Sequence, residues 1–270
     1  PSLPRVAGVI LLSPEIGVSP VAALAVWQGR LGYLLGLDKL AWNALLPEYD
    51  PYKYGSFAVN AGDLAHRLTA HIQKKLTVLG QEGALGAMPP ILAFQSSVDA
   101  TVTASALVAN LFDRLPPANH ELVLFDINRR IEIGILLQKD PRTVFEPLLK
   151  KQDRSFDLTV VTNENSESNR VVARTTLMGE NTAAMIRHLD EWPAGVFSLS
   201  HVALPFSPMD PVYGGPAAAD SPGIELGNLA PRGERGVLQV SGTDLLRLRW
   251  NPFYGYVESR VLQFTGLEGH

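Results

Sequence analysis

The stretch from residue 91 to residue 125 constrains the fold more than any other part of the chain. Ile91 to Phe94 is a short apolar run after the breaker Met88-Pro89-Pro90, and the polar Gln95-Ser96-Ser97-Val98-Asp99 follows it. Leu107, Val108, Leu111 and Phe112 then mark one helix face, which Pro116-Pro117 stops, and His120 to Phe125 (HELVLF) returns to strand. Strands without polar alternation need cover on both faces, and two of them joined through a helix make a βαβ unit. The expected class is therefore α/β with a parallel, doubly wound sheet, whose chemistry sits in loops at the carboxyl ends of the strands.

The flanking sequence supplies further elements. Val6 to Leu12, closed by Ser13-Pro14, reads as another buried strand, and Val18 to Gly86 reads as helices. Within that stretch Ala22 to Leu35 and Leu37 to Leu46 offer an apolar helical surface, and Leu64, Leu68, Ile72, Leu76 and Leu79 recur at helical spacing before Gly80. Asn128 to Lys151 is expected to be helical, Phe156 to Thr162 and Val196 to Leu199 to be strands, and Asn163 to Asn169 a polar loop. Pro208 to Arg235 is dense in Pro, Gly and Asp and reads as an ordered loop excursion, with a strand at Val237 to Val240. Finally, Asn251 can cap a helix with Pro252 at its first position and Tyr254, Val257, Val261 and Phe264 as its stripe.

Composition removes several function classes. With 46% hydrophobic residues among 270, most of the chain can bury enough apolar surface to fold. A net charge of −4 gives no electrostatic reason to expect nucleic acid as a partner. No stretch reaches the roughly 18 to 20 uninterrupted apolar residues of a membrane span. The absence of cysteine excludes disulfides, thiolate metal sites and a cysteine nucleophile, and leaves the compartment undetermined. No cofactor or metal is expected: GxxxxGK[ST] is absent, and no GxGxxG follows a strand. His66 and His71 would point about 140° apart on a helix, unlike the i, i+4 pair of HExxH.

Two segments carry chemical promise. Asp99, within Ile91 to Val102 (ILAFQSSVDATV), lies in the loop at a strand's carboxyl end, where a carboxylate can orient a histidine; turn chemistry favours Asp there as well. His201, within Ser198 to Gly214 (SLSHVALPFSPMDPVYG), ends an expected strand before a proline-rich loop, a placement suited to a general base. The order of acid first and histidine later is that of an α/β-hydrolase.

At these residues the chain resembles the α/β-hydrolase superfamily, and within it the bacterial serine hydrolases of the esterase and lipase kind. In that family a strand ending in a D-x-x-V turn supplies the triad acid and a later histidine the base, which here implies Asp99, with Val102 after it, and His201. Gly8 to Pro20 (GVILLSPEIGVSP) resembles the strand that follows the nucleophile helix. Leu46 to Phe57 and Ala230 to Val240 are similar to stretches of one bacterial branch. The resemblance implies a core strand in residues 1–17, a helical cap in residues 18–86, and the C-terminal part of the hydrolase core in residues 87–270. It implies a small-molecule or lipid ester as substrate, with a preference for hydrophobic acyl chains under the cap. Tyr49, Tyr52 and Tyr54 would line the acyl pocket or brace the junction of cap and core.

The departures from the family pattern are informative. No G-x-S-x-G elbow occurs in the chain. Ser13 is the best strand-end serine, yet Pro14 after it has no N–H to donate to an oxyanion and Glu15 is a poor substitute for a small residue. Ser56, Ser96, Ser97 and Ser200 lack the elbow too and read as turn or strand residues. The resemblance therefore implies that the nucleophile, its elbow and the earlier strands lie before residue 1, supplied by a missing segment or by another chain. The chain alone would then be inactive and would start mid-sheet with an unpaired edge. Asp99 and His201 are roughly a hundred residues apart, so an insertion at residues 128–194 would project from the core and return. Asp126, at the end of the next strand, is a rival acid. Two other readings stay open: a non-catalytic binding module on a degenerate hydrolase fold, favoured if His201 lay more than about 5 Å from both aspartates, and a hydrolase with an aspartate nucleophile.

Overall fold

The computed structural model describes residues 5–16, 34–35, 42–44, 56–99, 101–130, 140–215 and 248–267. The chain divides into two compact units, Glu15–Ala84 and the remainder, Pro1–Pro14 with Leu85–His270.

In the unit Glu15–Ala84, strands β2 (Trp42–Ala44) and β3 (Phe57–Ala58) pair antiparallel, and helix α1 (Val59–Gln81) follows. Trp42–Ala44 is thus strand where helix was expected over residues 37–46, because pairing with Phe57–Ala58 overrides local preference. Helix α1 runs through Gly80 and buries Val59, Thr69 and Leu76, whereas Leu64 and Leu68 of the expected stripe are exposed. His66 and His71 sit on this helix. The expected helix Ala22 to Leu35 falls almost wholly outside the described residues, as do Tyr49, Tyr52 and Tyr54.

The larger unit is built on a six-stranded sheet of order β1-β4-β5-β6-β7-β8. Strands β1 (Val9–Leu12), β4 (Ile91–Ser96), β5 (Glu121–Phe125) and β6 (Asp157–Asn163) are parallel, with Leu12 beside Phe94, Ser96 beside Phe125, and Phe125 beside Val161. Every residue of β4 is buried, as its unbroken apolar run requires. Helix α2 (Ala104–Asn110) connects β4 to β5; the Thr103 hydroxyl caps it by accepting from the Ala106 N–H at 3.2 Å, and Ala104, Leu107 and Val108 form its buried face. Strand β1 begins at Val9, leaving Val6 exposed.

The sheet is mixed rather than wholly parallel. Strands β7 (Arg170–Thr176) and β8 (Met185–Glu191) turn back antiparallel beyond β6. Residues 157–191 therefore extend the central sheet instead of projecting from it. The polar stretch 163–169 is the hairpin turn between β6 and β7, and β6 pairs with β5 directly, which leaves the segment no separate core of its own. Helix α3 (Arg142–Lys150) covers only the end of the helix expected over residues 128–151. Asn128 to Arg130 take no regular secondary structure, Asn128 bonding the Val196 carbonyl and Asn163 instead of a helical turn, and residues 131–139 lie outside the description.

Helix α4 (Tyr254–Thr265) packs Tyr256, Val257, Val261 and Phe264 against the core. It begins later than expected: the Asn251 side chain accepts from the Phe253 N–H at 2.9 Å and its carbonyl from the Tyr254 N–H at 3.1 Å, so Asn251 shapes the approach turn. Gly266, at φ 71°, closes the helix, with the Leu267 N–H on the Leu262 carbonyl at 2.9 Å. Phe253 joins helix to sheet, edge-on to Trp192 at 4.8 Å and stacked on Phe125 at 6.5 Å.

Candidate functional site

The carboxyl ends of β1, β4, β5 and β6 gather most of the buried polar side chains that sequence reasoning singled out. After β4 the chain turns at Ser97-Val98, and Asp99 Oδ1 accepts the main-chain N–H of Thr101 at 2.8 Å and of Val102 at 3.0 Å. Gln95 Nε2 donates to the Val102 carbonyl at 2.5 Å and fastens the far end of the same loop. The turn chemistry that favours Asp and the orientation of its carboxylate thus come from one set of bonds.

His201 reaches this carboxylate from the other end of the chain. Its Nδ1 lies 3.2 Å from Asp99 Oδ1 and 3.1 Å from Oδ2, and the contact to Oδ1 has hydrogen-bond geometry. The Asp99 side chain is fully buried, whereas 22% of the His201 side chain is exposed. Burial alone would raise the Asp99 carboxyl; the His201 hydrogen bond and the N–H groups of Val102 and Thr101 outweigh it and hold the group below its ordinary 3.8. With Nδ1–H donating to a carboxylate, the proton-free nitrogen of neutral His201 is Nε2, on the opposite side of the ring. Such a pair can take a proton from a hydroxyl or water and stabilise the imidazolium that results.

Val196 to Leu199, expected as a strand, is instead a buried segment in which only Val196 forms a bridge, outside the six-stranded sheet, and His201 begins the turn after it. The segment is held from the sheet ends. The Asn128 N–H donates to the Phe197 carbonyl at 2.7 Å and Asn128 Nδ2 to the Val196 carbonyl at 3.4 Å. Ser96 Oγ donates to the Leu199 carbonyl at 2.8 Å, and Ser200 Oγ to that of Leu248 at 2.9 Å. Ser96, Asn128 and Ser200 are therefore the residues that set the His201 backbone. Sequence reasoning missed this role for Asn128, because a polar residue after a strand carries no sign of the carbonyl it will meet.

Asp126 is not the partner of His201. It is buried at the end of β5, forms a two-pronged ion pair with Nε and Nη2 of Arg129, and accepts from Thr162 Oγ1 at 2.8 Å. Burial pushes its carboxyl above the ordinary value although Arg129 and Thr162 pull the other way. Its network continues through Asn163, whose Oδ1 accepts from the Arg129 N–H at 2.7 Å and whose Nδ2 donates to Asn128 Oδ1 at 3.1 Å.

Ser13 follows β1 with a left-handed φ of 49° and bonds the Phe94 carbonyl through its N–H at 2.9 Å. The loop after His201 is ordered as far as it is described: Asp210 Oδ1 accepts the N–H groups of Val212 and Tyr213 at 3.0 and 2.8 Å, and Phe206 packs on Tyr213 at 4.6 Å. The remainder of the excursion and the expected strand Val237 to Val240 lie outside the described residues. No helix among the described residues is long and apolar enough to cross a membrane.

Compared with protein-family models, curated proteins and solved structures, the chain gives no significant match to any of them.

Proposed function

We propose that the chain is the acid- and base-bearing part of a serine hydrolase that cleaves carboxylic esters, on an α/β-hydrolase-like sheet with a helical cap in residues 18–86. The observation that carries the reading is the hydrogen bond between Asp99 and His201, residues 102 positions apart that meet at the carboxyl edge of parallel strands. In the proposed reaction His201 Nε2 takes the proton of a serine hydroxyl as its oxygen attacks the ester carbonyl carbon. The same proton passes to the departing alkoxide, leaving an acyl-enzyme. Water then attacks the acyl carbon, His201 accepts a water proton and returns it to the serine, and the acid is released. Asp99 holds the ring in the tautomer that each transfer needs.

The serine is assigned to polypeptide outside these 270 residues, because none of the serines in the sequence stands in G-x-S-x-G. The test compares the purified chain with the same chain joined to, or mixed with, the polypeptide encoded immediately before it. The chain alone is expected neither to label with a fluorophosphonate nor to hydrolyse p-nitrophenyl esters. The completed protein should do both, and His201→Ala should lower its kcat roughly 10²–10⁴-fold. Labelling of the chain alone, or a folded, completed protein that remains inert, would overturn the proposal.

A further inference from the structure

Strand β8 is one edge of the sheet, opposite β1, and no strand among the described residues pairs with its outer side. Along Met185–Glu191 every residue is exposed except the half-buried Leu189, and Met185 and Ile186 are 57% and 53% exposed. An exposed edge presents a row of main-chain donors and acceptors to any strand that approaches it. Charged residues often guard such edges, and β8 carries them, but their order is unusual. Around Leu189 the sequence reads Arg187-His188-Leu189-Asp190-Glu191, with the basic side chains before the leucine and the acids after it.

We infer that β8 docks antiparallel against β8 of a second copy of this chain, with the twofold axis passing at Leu189. In that register Arg187 faces Glu191 of the other copy, His188 faces Asp190, and Leu189 faces Leu189. Directly opposed residues of an antiparallel pair share a face, so each opposition is a side-chain pair. Moving the axis one residue along the strand sets His188 or Asp190 against its own copy. Parallel in-register stacking sets every charge against its like. The charge order therefore selects one antiparallel register, and the twofold pairs the β8 edge of each copy with that of the other, which closes this contact as a dimer.

The side chains needed are within reach. His188 and Asp190 lie on one face of β8 and have no ion-pair partner among the described residues. On the other face Arg187 rests over the Tyr256 ring at 5.6 Å and donates to Ser259 Oγ at 3.0 Å, and among the described residues Glu191 has a single long ion-pair contact, 3.7 Å, to exposed Arg170. Burying two copies of one short strand is a small interface, so the association is a concentration-dependent monomer–dimer equilibrium.

The native chain has no cysteine, which makes crosslinking a clean test. Leu189→Cys places two thiols across the axis, where opposed Cα atoms are about 4.5–5.5 Å apart and a disulfide can close. Ile186→Cys is the control: its copies lie six positions apart along the paired strands, about 20 Å, and should stay reduced under the same mild oxidant. Sedimentation velocity supplies the second arm. Asp190→Lys, which sets Lys against His188 at two symmetric places, should weaken dimerisation about tenfold. The swapped variant His188→Glu with Asp190→Lys should restore it, while circular dichroism shows each variant folded. A chain that stays monomeric at all concentrations would overturn the inference. So would a dimer indifferent to Asp190→Lys, or Ile186→Cys crosslinking as readily as Leu189→Cys.

Discussion

The two halves of the central sheet solve the same hydrogen-bonding problem under opposite solvent conditions. In the parallel half, inside the partly exposed edge strand β1, β4 is buried along its whole length and β5 is buried apart from Glu121, so the residues at their carboxyl ends start from a rigid, dry platform. In the antiparallel half burial falls strand by strand, from β6 through β7 to an exposed β8. The contrast explains where chemistry can reside. A buried carboxylate such as Asp99 needs fixed donors, and the parallel half carries the turn that supplies the Thr101 and Val102 N–H groups, fastened by Gln95, and the Ser96 and Asn128 side chains that hold the His201 segment.

The largest expected effect separates the halves directly. Phe94 is fully buried in the middle of β4, and Phe94→Ala should cost about 3–5 kcal/mol in urea denaturation through lost burial and the cavity left behind. A cost below about 1 kcal/mol would mean that the parallel half is not the close-packed platform described above. Next comes the seam. Arg154, fully buried, donates to the carbonyls of Phe156 at 2.8 Å, Leu148 at 2.8 Å, Thr176 at 3.2 Å and Leu177 at 2.7 Å, tying α3, the start of β6 and the end of β7 together. Arg154→Met keeps the apolar stem and abandons the carbonyls, with an expected loss of about 2–3 kcal/mol. A single unfolding transition in both variants would show that the two halves melt as one unit.

A pH series isolates one bond inside the parallel half. His120 is buried at the start of β5, and its Nδ1 accepts from the Ile91 N–H at 3.1 Å, which requires the neutral ring. Burial holds its pKa below the ordinary 6.5. A depressed histidine adds stability that is present above 6.5 and is lost as pH falls through the lower folded value, because the unfolded chain takes up the proton first. His120→Asn can place an amide oxygen near the position of Nδ1 without titrating. Urea midpoints should therefore fall less steeply for the variant than for the native chain between pH 7 and about pH 5. Superimposable curves would show that His120 contributes nothing to acid sensitivity.

The same contrast decides what could be read from residue order. The β4, α2 and β5 unit was legible because an unbroken apolar run admits few placements other than a strand covered on both faces. Asp99 and His201 were legible through their position after such runs and their order, and the structure brings them together. The β7–β8 hairpin was not. RVVARTT and MIRHLDE are neither continuously apolar nor strictly alternating, since β8 has almost no buried face to impose a period, and what places them is pairing with β6 rather than local pattern. The strand expected at Val196 to Leu199 failed for the reverse reason. Its residues are buried as in a strand, but beyond a single bridge at Val196 its carbonyls are satisfied from the side by Asn128 and Ser96, so it does not extend into a strand.

The smallest expected effect is the most discriminating for the exposed half. Ile186 lies on β8 with more than half of its surface in water, so in dilute protein Ile186→Ala removes little that folding had buried and should shift stability by less than about 0.5 kcal/mol. The same change in Phe94 or Leu92, at the centre of the sheet, deletes contacts on every side. A cost for Ile186→Ala that is negligible in dilute solution and grows with protein concentration would mean that the side chain acquires neighbours only on association. A cost of 2 kcal/mol or more at every concentration would mean instead that β8 is already covered within a single chain, and the division of the sheet into a dry half and a wet half would have to be redrawn.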